Sequence, residues 1–514
     1  MNSRKAFLLV VAVLTSLMLS LGTVAYANSS ELIVGIDAAP ETMDPRGSLA
    51  DSNMMWMGNI FDALVQLVGP EGEFAPGLAT SWEKIDQLTW RIHLRQGVKF
   101  HNGNPFTWED VQFSFERMQE PKLSEHSWAN DVASVETVDG DPWVIDITTK
   151  APNHSLIYQL KIGFIVDKES TLARTPEEVI QYPIGTGAYK FVEWVKGSYL
   201  KLIANEEYWE GAPSITHVTV IPIIEASTRF AALSTGEIDL MMGVPLEMLE
   251  VVQDDPDLVM IGRPSRRPIF LGMSSDPALP TSDVRVRKAM YMAINEEEII
   301  EVILRGQATI VSQIVDPATF GYNEDIERFP YDPERARELL IEAGYPDGFE
   351  ITLQGPNDRY VKDEQILQAV VKYLREVGID AELDAMPKAT YWGLISGHET
   401  TFWMLGWMNE SYNLAQVFSD LVHSPSYEEG YGGWNSTYGD PELDRLIENS
   451  KLIQDDILRL GALKELNRFA MEEKVPYIPL HLQNDLYAIQ EGKGINFVPR
   501  PDRWIQLKEI SIED

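Results

Sequence analysis

The side chains able to do chemistry are numerous here but poorly grouped. The eight histidines, His93, His101, His126, His154, His217, His398, His423 and His481, are scattered along the chain. No two have the spacing that puts both imidazoles of a zincin on one helix face, and no cysteine is present to complete a zinc site. No GxSxG elbow and no GxGxxG dinucleotide fingerprint occurs. Pro183-Ile184-Gly185-Thr186-Gly187 is glycine-rich, but it lacks the GK[ST] of a phosphate loop and a strand follows it rather than a helix. Its glycines imply a tight backbone near a cleft. The 79 Asp and Glu are too many for a glycosidase acid–base pair to be singled out, and most are expected to be solvated. His101, between Phe100 and Asn102, is expected to be structural. No catalytic residue, metal ligand or cofactor is assigned. A hydrolase whose groups converge from distant positions stays open as an alternative.

The aromatic residues are more suggestive. Thirteen Trp and 19 Tyr provide flat apolar faces with a polar handle, suited to peptide side chains or sugar rings as well as to a core.

The elements that must position these groups alternate between strand and helix. Glu31–Asp37, Leu88–Leu94, Trp143–Ile147, Tyr189–Trp194, Val218–Ile224 and Asp239–Met242 read as strands from their alternation or apolar runs. Asn53–Leu67 reads as a helix, and Thr107 with Asp110 marks the start of another. Beyond Asp283 helical stretches (284–306, 333–343, 364–377, 441–451, 456–473) are interleaved with strands at Glu350–Leu353 and Ile379–Leu383. Tyr477–His481 and Asp485–Ile489 read as two strands returning to the first part of the chain. The pattern is α/β, with no repeat and no long low-complexity linker.

The N-terminus reads as a leader. Arg4 and Lys5 precede the apolar run Phe7–Val24, and Ala25-Tyr26-Ala27 supplies small residues for cleavage after Ala27. An uncleaved anchor is the competing reading, since the run is at the lower limit for a membrane span. Without cysteine the exported protein can have neither a disulfide nor a lipidated N-terminal cysteine. An unanchored exported binding protein is best retained between two membranes, so the expected location is the periplasm. With 42 basic against 79 acidic residues the net charge is −37, which repels nucleic acid and anionic lipid. The length implies two or three domains.

One long stretch resembles a known family. Phe74 to Ser114 carries Pro76-Gly77-Leu78-Ala79-Thr80-Ser81-Trp82, then Thr89-Trp90, Leu94-Arg95-Gln96-Gly97-Val98-Lys99-Phe100-His101-Asn102-Gly103 and Pro105-Phe106-Thr107-Trp108-Glu109-Asp110-Val111. It is similar to the signature region of the family 5 extracellular solute-binding proteins, the peptide and nickel class of ABC-importer receptors. Thr42-Met43-Asp44-Pro45, the Pro183–Gly187 turn, Asn205-Glu206-Glu207-Tyr208-Trp209, Gly236-Glu237-Ile238-Asp239, Asp283–Ala289 and Val475-Pro476-Tyr477-Ile478-Pro479-Leu480 follow in the family's order. The resemblance implies a two-lobed periplasmic binding protein, class II-like in its large three-domain variant, with a ligand cleft between the lobes. It implies a first lobe of residues 28–74, 190–270 and 480–514, a small extra domain of 75–189, and a second lobe of 271–479.

The resemblance also implies where a ligand would sit. In peptide-binding relatives an acidic residue shortly after a Gly-Trp pair receives the peptide α-ammonium. Here Gly406-Trp407-Met408-Asn409-Glu410 places Glu410 where an aspartate is usual, and Asn413-Leu414 replaces a later Asp-Pro. Peptide specificity is therefore open. Trp392, Trp403, Trp407 and Trp434 with Asn409, Asn413 and Asn435 would suit an oligosaccharide, although Phe402-Trp403-Met404 also reads as a buried strand. Arg263, Arg266 and Arg267 precede the expected crossing into the second lobe. Arg266 is the candidate receptor of a ligand carboxylate, with surface salt bridging as the bland reading. Met43 and Asp44, near the first crossing, are candidate cleft residues. The implied function is capture of a short peptide, or alternatively an oligosaccharide, by a monomer that delivers it to an ABC permease. A secreted hydrolase and a chaperone-like or sensory scaffold are the readings from other classes.

Overall fold

The computed structural model describes residues 30–121, 123–426 and 430–513, so the leader and its cleavage site lie outside the described residues. Among the described residues no helix is long and apolar enough to cross a membrane.

Two long strands organise the molecule. Leu258–Met273 (β1) and Tyr477–Gln490 (β2) pair antiparallel along most of their lengths in an 11-stranded sheet. On one side of them lie Leu240–Met242, then the parallel pair Glu31–Ile36 and His217–Pro222, then Tyr199–Ala204 and Tyr189–Val195. On the other side lie Phe402–Gly406, Glu350–Pro356 and Asp380–Met386, in that order, and Ala308–Ile310 pairs with β2 off this path as the eleventh strand. The first set forms the sheet of one lobe and the second set that of the other. β1 and β2 belong to both, because Gly262 pairs with Leu486 at one end and Gly272 with Tyr477 at the other. The sequence reads β2 as two strands; it is one strand carried through both lobes, as the burial of Tyr477–Leu482 and of Leu486–Ile489 requires.

Between Pro264 and Pro268 the register shifts, so that Ser265, Arg266 and Arg267 bulge where the partner advances by little. Proline cannot donate to the ladder, and two prolines bracket the point where pairing is interrupted. The bulge aims two arginines away from the ladder at the crossing between lobes.

A separate four-stranded sheet (Ala79–Lys84, Thr89–Leu94, Asp141–Thr149, Val132–Val138) carries the helix Trp108–Met118 against it. That helix starts as its sequence implies: the Asp110 carboxylate accepts from the Thr107 N–H and hydroxyl, both at 2.8 Å. The helix expected over Asn53–Leu67 is shorter. It spans Asp51–Ile60, and Val65–Val68 is a strand. Asp62 ends it locally by accepting from Thr186, Tyr208 and Trp209 at 2.9, 3.0 and 2.9 Å. The glycine-rich turn has its physical reason here rather than in the cleft. A Cβ at Gly185 would stand 2.1 Å from the Ile60 carbonyl oxygen, and one at Gly187 2.6 Å from that of Asn59.

Candidate functional site

The cavity of interest opens between the lobes and has a volume of about 730 Å³. The first lobe contributes Leu49, Asp51, Met54, Trp128, Asp131, Gln159, Ile162 and Trp504; the second contributes Trp407 to Ser411, Gln416, Asp420 and Trp434. Its second-lobe wall follows directly from the strand Phe402–Gly406, which is buried on both faces and ends at Gly406. There the Tyr360 hydroxyl accepts from the Gly406 N–H at 2.8 Å, and a Cβ would stand 2.7 Å from the Tyr360 ring. The chain then turns into the cavity.

Asn409 pins that turn. Its side-chain oxygen accepts from the Ser411 N–H and hydroxyl at 3.0 and 2.7 Å, and its carbonyl accepts from Arg266 at 3.1 Å. Tyr412 closes it in a left-handed conformation, φ 51°, and Asn413 caps the helix Leu414–Leu421 by accepting from the Ala415 N–H at 2.9 Å. Tyr412 stacks on Tyr158 and meets Phe74 edge-on, with centroids 6.1 and 4.8 Å apart. Both partners belong to the first lobe, so this turn is also a lobe-to-lobe contact. Asn413 adds another, donating to Ser155 at 3.1 Å.

Glu410 lies at the tip of the turn with its side chain 47% exposed to the cleft, and its Oε2 is 2.6 Å from the Nζ of Lys161. Burial pushes its carboxyl up, but the Lys161 ammonium, with Arg266 and Arg267 beyond it, prevails and holds it below the usual range. Three other carboxylates line the same cavity. Burial raises Asp51 against the pull of Arg267, raises Asp131 against that of Lys150, and pushes Asp420 up to about 6. Trp434, 37% exposed, meets Trp407 at 5.4 Å and forms the aromatic part of the wall.

A second cavity of about 280 Å³ lies beside the crossing strands, lined by Gln483 to Tyr487 of β2, Arg267 of the bulge, Asp37, Arg359, Tyr360 and Arg503. Arg267 is 3.6 Å from Asp51, which lines the larger cavity, so this ion pair joins the two spaces. Arg503 is committed to Asp37 and Asp485, at 3.2 and 3.0 Å. Arg359 lies within electrostatic reach of Asp51 but forms no side-chain ion pair among the described residues. It is an exposed residue lying over the Tyr360 ring at 5.3 Å, and partial desolvation with the nearby Arg267 lowers its pKa.

The ten residues singled out from sequence divide accordingly. Glu410, Trp407, Asn409 and Trp434 line the main cavity. Trp392 packs edge-on behind Trp434, centroids 5.9 Å apart. Asn413 lines a neighbouring chamber of about 200 Å³ that shares Asp131, Gln159 and Gln416 with the main one. The remaining four are placed otherwise than expected. Met43 is fully buried in the first-lobe core, and Asp44 beside it is bound to Arg46 and Arg117 at 3.1 and 2.8 Å. Trp403 is fully buried in the second lobe, where Gly272 makes room for it: a Cβ there would stand 2.3 Å from the indole. Asn435 is fully buried and spends its amide on the carbonyls of His423 and Tyr438. Arg266 sits behind the Glu410 turn, its guanidinium bonded twice to Asp316 at 3.1 and 3.0 Å and laid over the Tyr412 ring at 3.4 Å. Its charge is matched by Asp316 and three of its five N–H donors are bonded within the protein, so it is committed to the turn rather than presented to the cavity.

Sequence reasoning missed Lys161, Asp51, Asp131, Asp420 and Arg359. Only Lys161 carried a local signal, as a lone charge in Leu160-Lys161-Ile162. Among the described residues no histidine lines either the main cavity or the one beside the crossing strands. Among the described residues no group of three or more His, Cys, Asp or Glu is gathered to hold a metal. The arrangement suits reversible capture of an amphipathic solute bearing hydrogen-bond donors.

Comparison with known proteins agrees with this geometry. Residues 73–429 match the family model described as bacterial extracellular solute-binding proteins, family 5 middle. Heme-binding protein A of Haemophilus influenzae is 26% identical over 456 residues, covering 82% of this chain and 81% of its own. The glutathione-binding protein GsiB of Salmonella paratyphi A is 32% identical over 443 residues, 83% of this chain and 84% of its own. The periplasmic binding protein DppA of Helicobacter pylori, solved in complex with the peptide STSA, superposes with a TM-score of 0.71 at 25% identity, covering 94% of this chain and 98% of that one.

Proposed function

Since this chain belongs to the family 5 bacterial extracellular solute-binding proteins, we propose that it captures a short peptide in the periplasm and presents it to the permease of an ABC importer. The observation that carries this reading is the cavity of about 730 Å³ walled by both lobes, with the Glu410 carboxylate on it. Its size is that of a small-molecule site, about 300–1,000 Å³. Carboxylates line one space, and Arg359, which has no ion pair among the described residues, lines the adjoining one. An extended peptide would offer N–H donors to the first and a carboxylate to the second, with its side chains against Trp407 and Trp434. The glutathione-binding and peptide-bound relatives support the same class of ligand.

Transport follows from the architecture. β1 and β2 are the covalent passage between the lobes in the main sheet, and the bulge at 265–267 interrupts their ladder at the crossing. Rotation there opens and closes the cleft. A ligand bonded to both lobes favours the closed form by its differential affinity, and the permease reads that form. No bond in the ligand changes, so no catalytic group is required. An oligosaccharide is the second reading, favoured by the Trp407–Trp434 pair.

Native mass spectrometry of the mature protein, followed by denaturing release, tests this directly. Co-purifying short peptides are the expected result. A hexose-multiple mass would replace the peptide reading by the sugar one, and turnover of a released ligand would replace transport by hydrolysis. If nothing co-purifies, calorimetric titration with peptides and oligosaccharides decides, and binding confined to sugars overturns the proposal.

A further inference from the structure

We propose that Lys161 is a resident counter-ion behind the cleft wall: it reaches from the first lobe to occupy the Glu410 carboxylate of the second, helps to hold the lobes together, and sets this end of the cleft to take a neutral N–H or O–H rather than a free ammonium. The inference rests on the reading of the cavity as a peptide cleft and specifies which peptide ends it accepts.

Lys161 follows the short helix Leu156–Gln159, and its side chain is only 3% exposed. Its Nζ is 2.6 Å from Glu410, 5.4 Å from the centroid of Tyr412 and 5.6 Å from that of Trp504. One carboxylate oxygen and two aromatic faces thus stand in for water around a buried ammonium. Among the described residues Glu410 is the carboxylate ion-paired to it. The other two cations acting on Glu410 are already matched: Arg266 with Asp316 at 3.0 Å, and Arg267 with Asp51 at 3.6 Å.

The charge balance has a direct consequence. A ligand ammonium at Glu410 would compete with Lys161 for one carboxylate and leave the buried Lys161 ammonium under-compensated. A neutral donor, such as an acylated amino end, can bond to the carboxylate without disturbing the pair. The pair also spans the cleft, so it favours contact between the lobes whether or not a ligand is present.

The test uses the full mature protein, the variant Lys161→Met, which keeps the stem's volume without its charge, and the tripeptide Ala-Phe-Ala in free and N-acetylated forms. Calorimetry at pH 7 should show the wild type binding the acetylated form at least as tightly as the free one. Lys161→Met should shift that preference tenfold or more toward the free amine. A wild type that prefers the free amine tenfold, with the preference lost in Lys161→Met, would overturn the proposal and leave Lys161 as a residue that only orients Glu410. Small-angle scattering without ligand gives a reading independent of peptides. Lys161→Met and Glu410→Gln should each increase the radius of gyration, and combining them should add nothing. If neither peptide binds either protein, the peptide reading fails by itself, and scattering then decides whether the pair holds the lobes. Unchanged scattering in both variants overturns that role.

Discussion

Asp316→Asn separates two roles for Arg266 that the sequence leaves open. The pair is almost wholly desolvated, with side chains 5% and 3% exposed, and it is bidentate at 3.1 and 3.0 Å. Removing the charge of one partner leaves a buried guanidinium uncompensated, which typically costs about 3–5 kcal/mol. Arg266 would keep its bond to the Asn409 carbonyl at 3.1 Å and its place on the Tyr412 ring, so the lower end, about 3 kcal/mol, is expected. Urea unfolding followed by tryptophan fluorescence measures it. The double variant Arg266→Met with Asp316→Leu should recover part of the loss: exchanging both charged partners for apolar groups is often neutral, but the Ala318 N–H and Thr319 hydroxyl lose the acceptor that Asp316 gives them. The reasoning would be refuted by an Asp316→Asn protein of unchanged stability whose affinity for carboxylate-bearing ligands rises. That result would mean that Arg266 is a ligand receptor and that Asp316 merely competes for it.

The aromatic residues divide by position: Trp407→Ala or Trp434→Ala should weaken ligand binding by about 2 kcal/mol with little loss of stability, read by titration. Trp403→Ala should instead destabilise the fold by about 3–5 kcal/mol, read by urea unfolding. For Asp420, burial raises the folded-state pKa to about 6 from an ordinary value of 3.8, so the folded protein binds the proton more tightly than the unfolded chain. The stabilisation linked to that proton is full below about pH 4 and is lost as pH rises through about 6. Asp420→Asn should accordingly raise the melting temperature at pH 7.5 and have no such effect at pH 4; an equal shift at both values would refute the assignment. Gly185→Ala, whose Cβ would meet the Ile60 carbonyl oxygen at 2.1 Å, should lower the unfolding midpoint, and an unchanged midpoint would show that the turn can yield.

Much of the fold could be read along the chain because its signals are local. Thr107 and Asp110 mark a helix start three residues apart, and Glu31–Ile36 announces a strand by its own composition. Leu64 to Val68 misleads because its apolar residues fit either period, and what ends the helix is Asp62 accepting from Thr186, Tyr208 and Trp209, all distant in sequence. The site was legible where the chain itself builds it. Glu410, Asn409 and Trp407 stand together because one turn after one buried strand carries them. Trp403, four residues before Trp407 and chemically the same, points into the core on account of Gly272, a residue of another strand.

By itself the sequence determined the α/β character, the family and the second-lobe wall of the cleft, because periodicity, turn chemistry and motif order are properties of neighbours along the chain. Tertiary structure alone decided which charges are free. Arg266 became a paired structural cation, Arg359 one with no ion pair among the described residues, and Lys161 the partner of Glu410 from 249 positions away. Net charge is additive along a sequence, but the charge that a ligand meets depends on which ions the fold has already brought within bonding distance of one another and taken out of water.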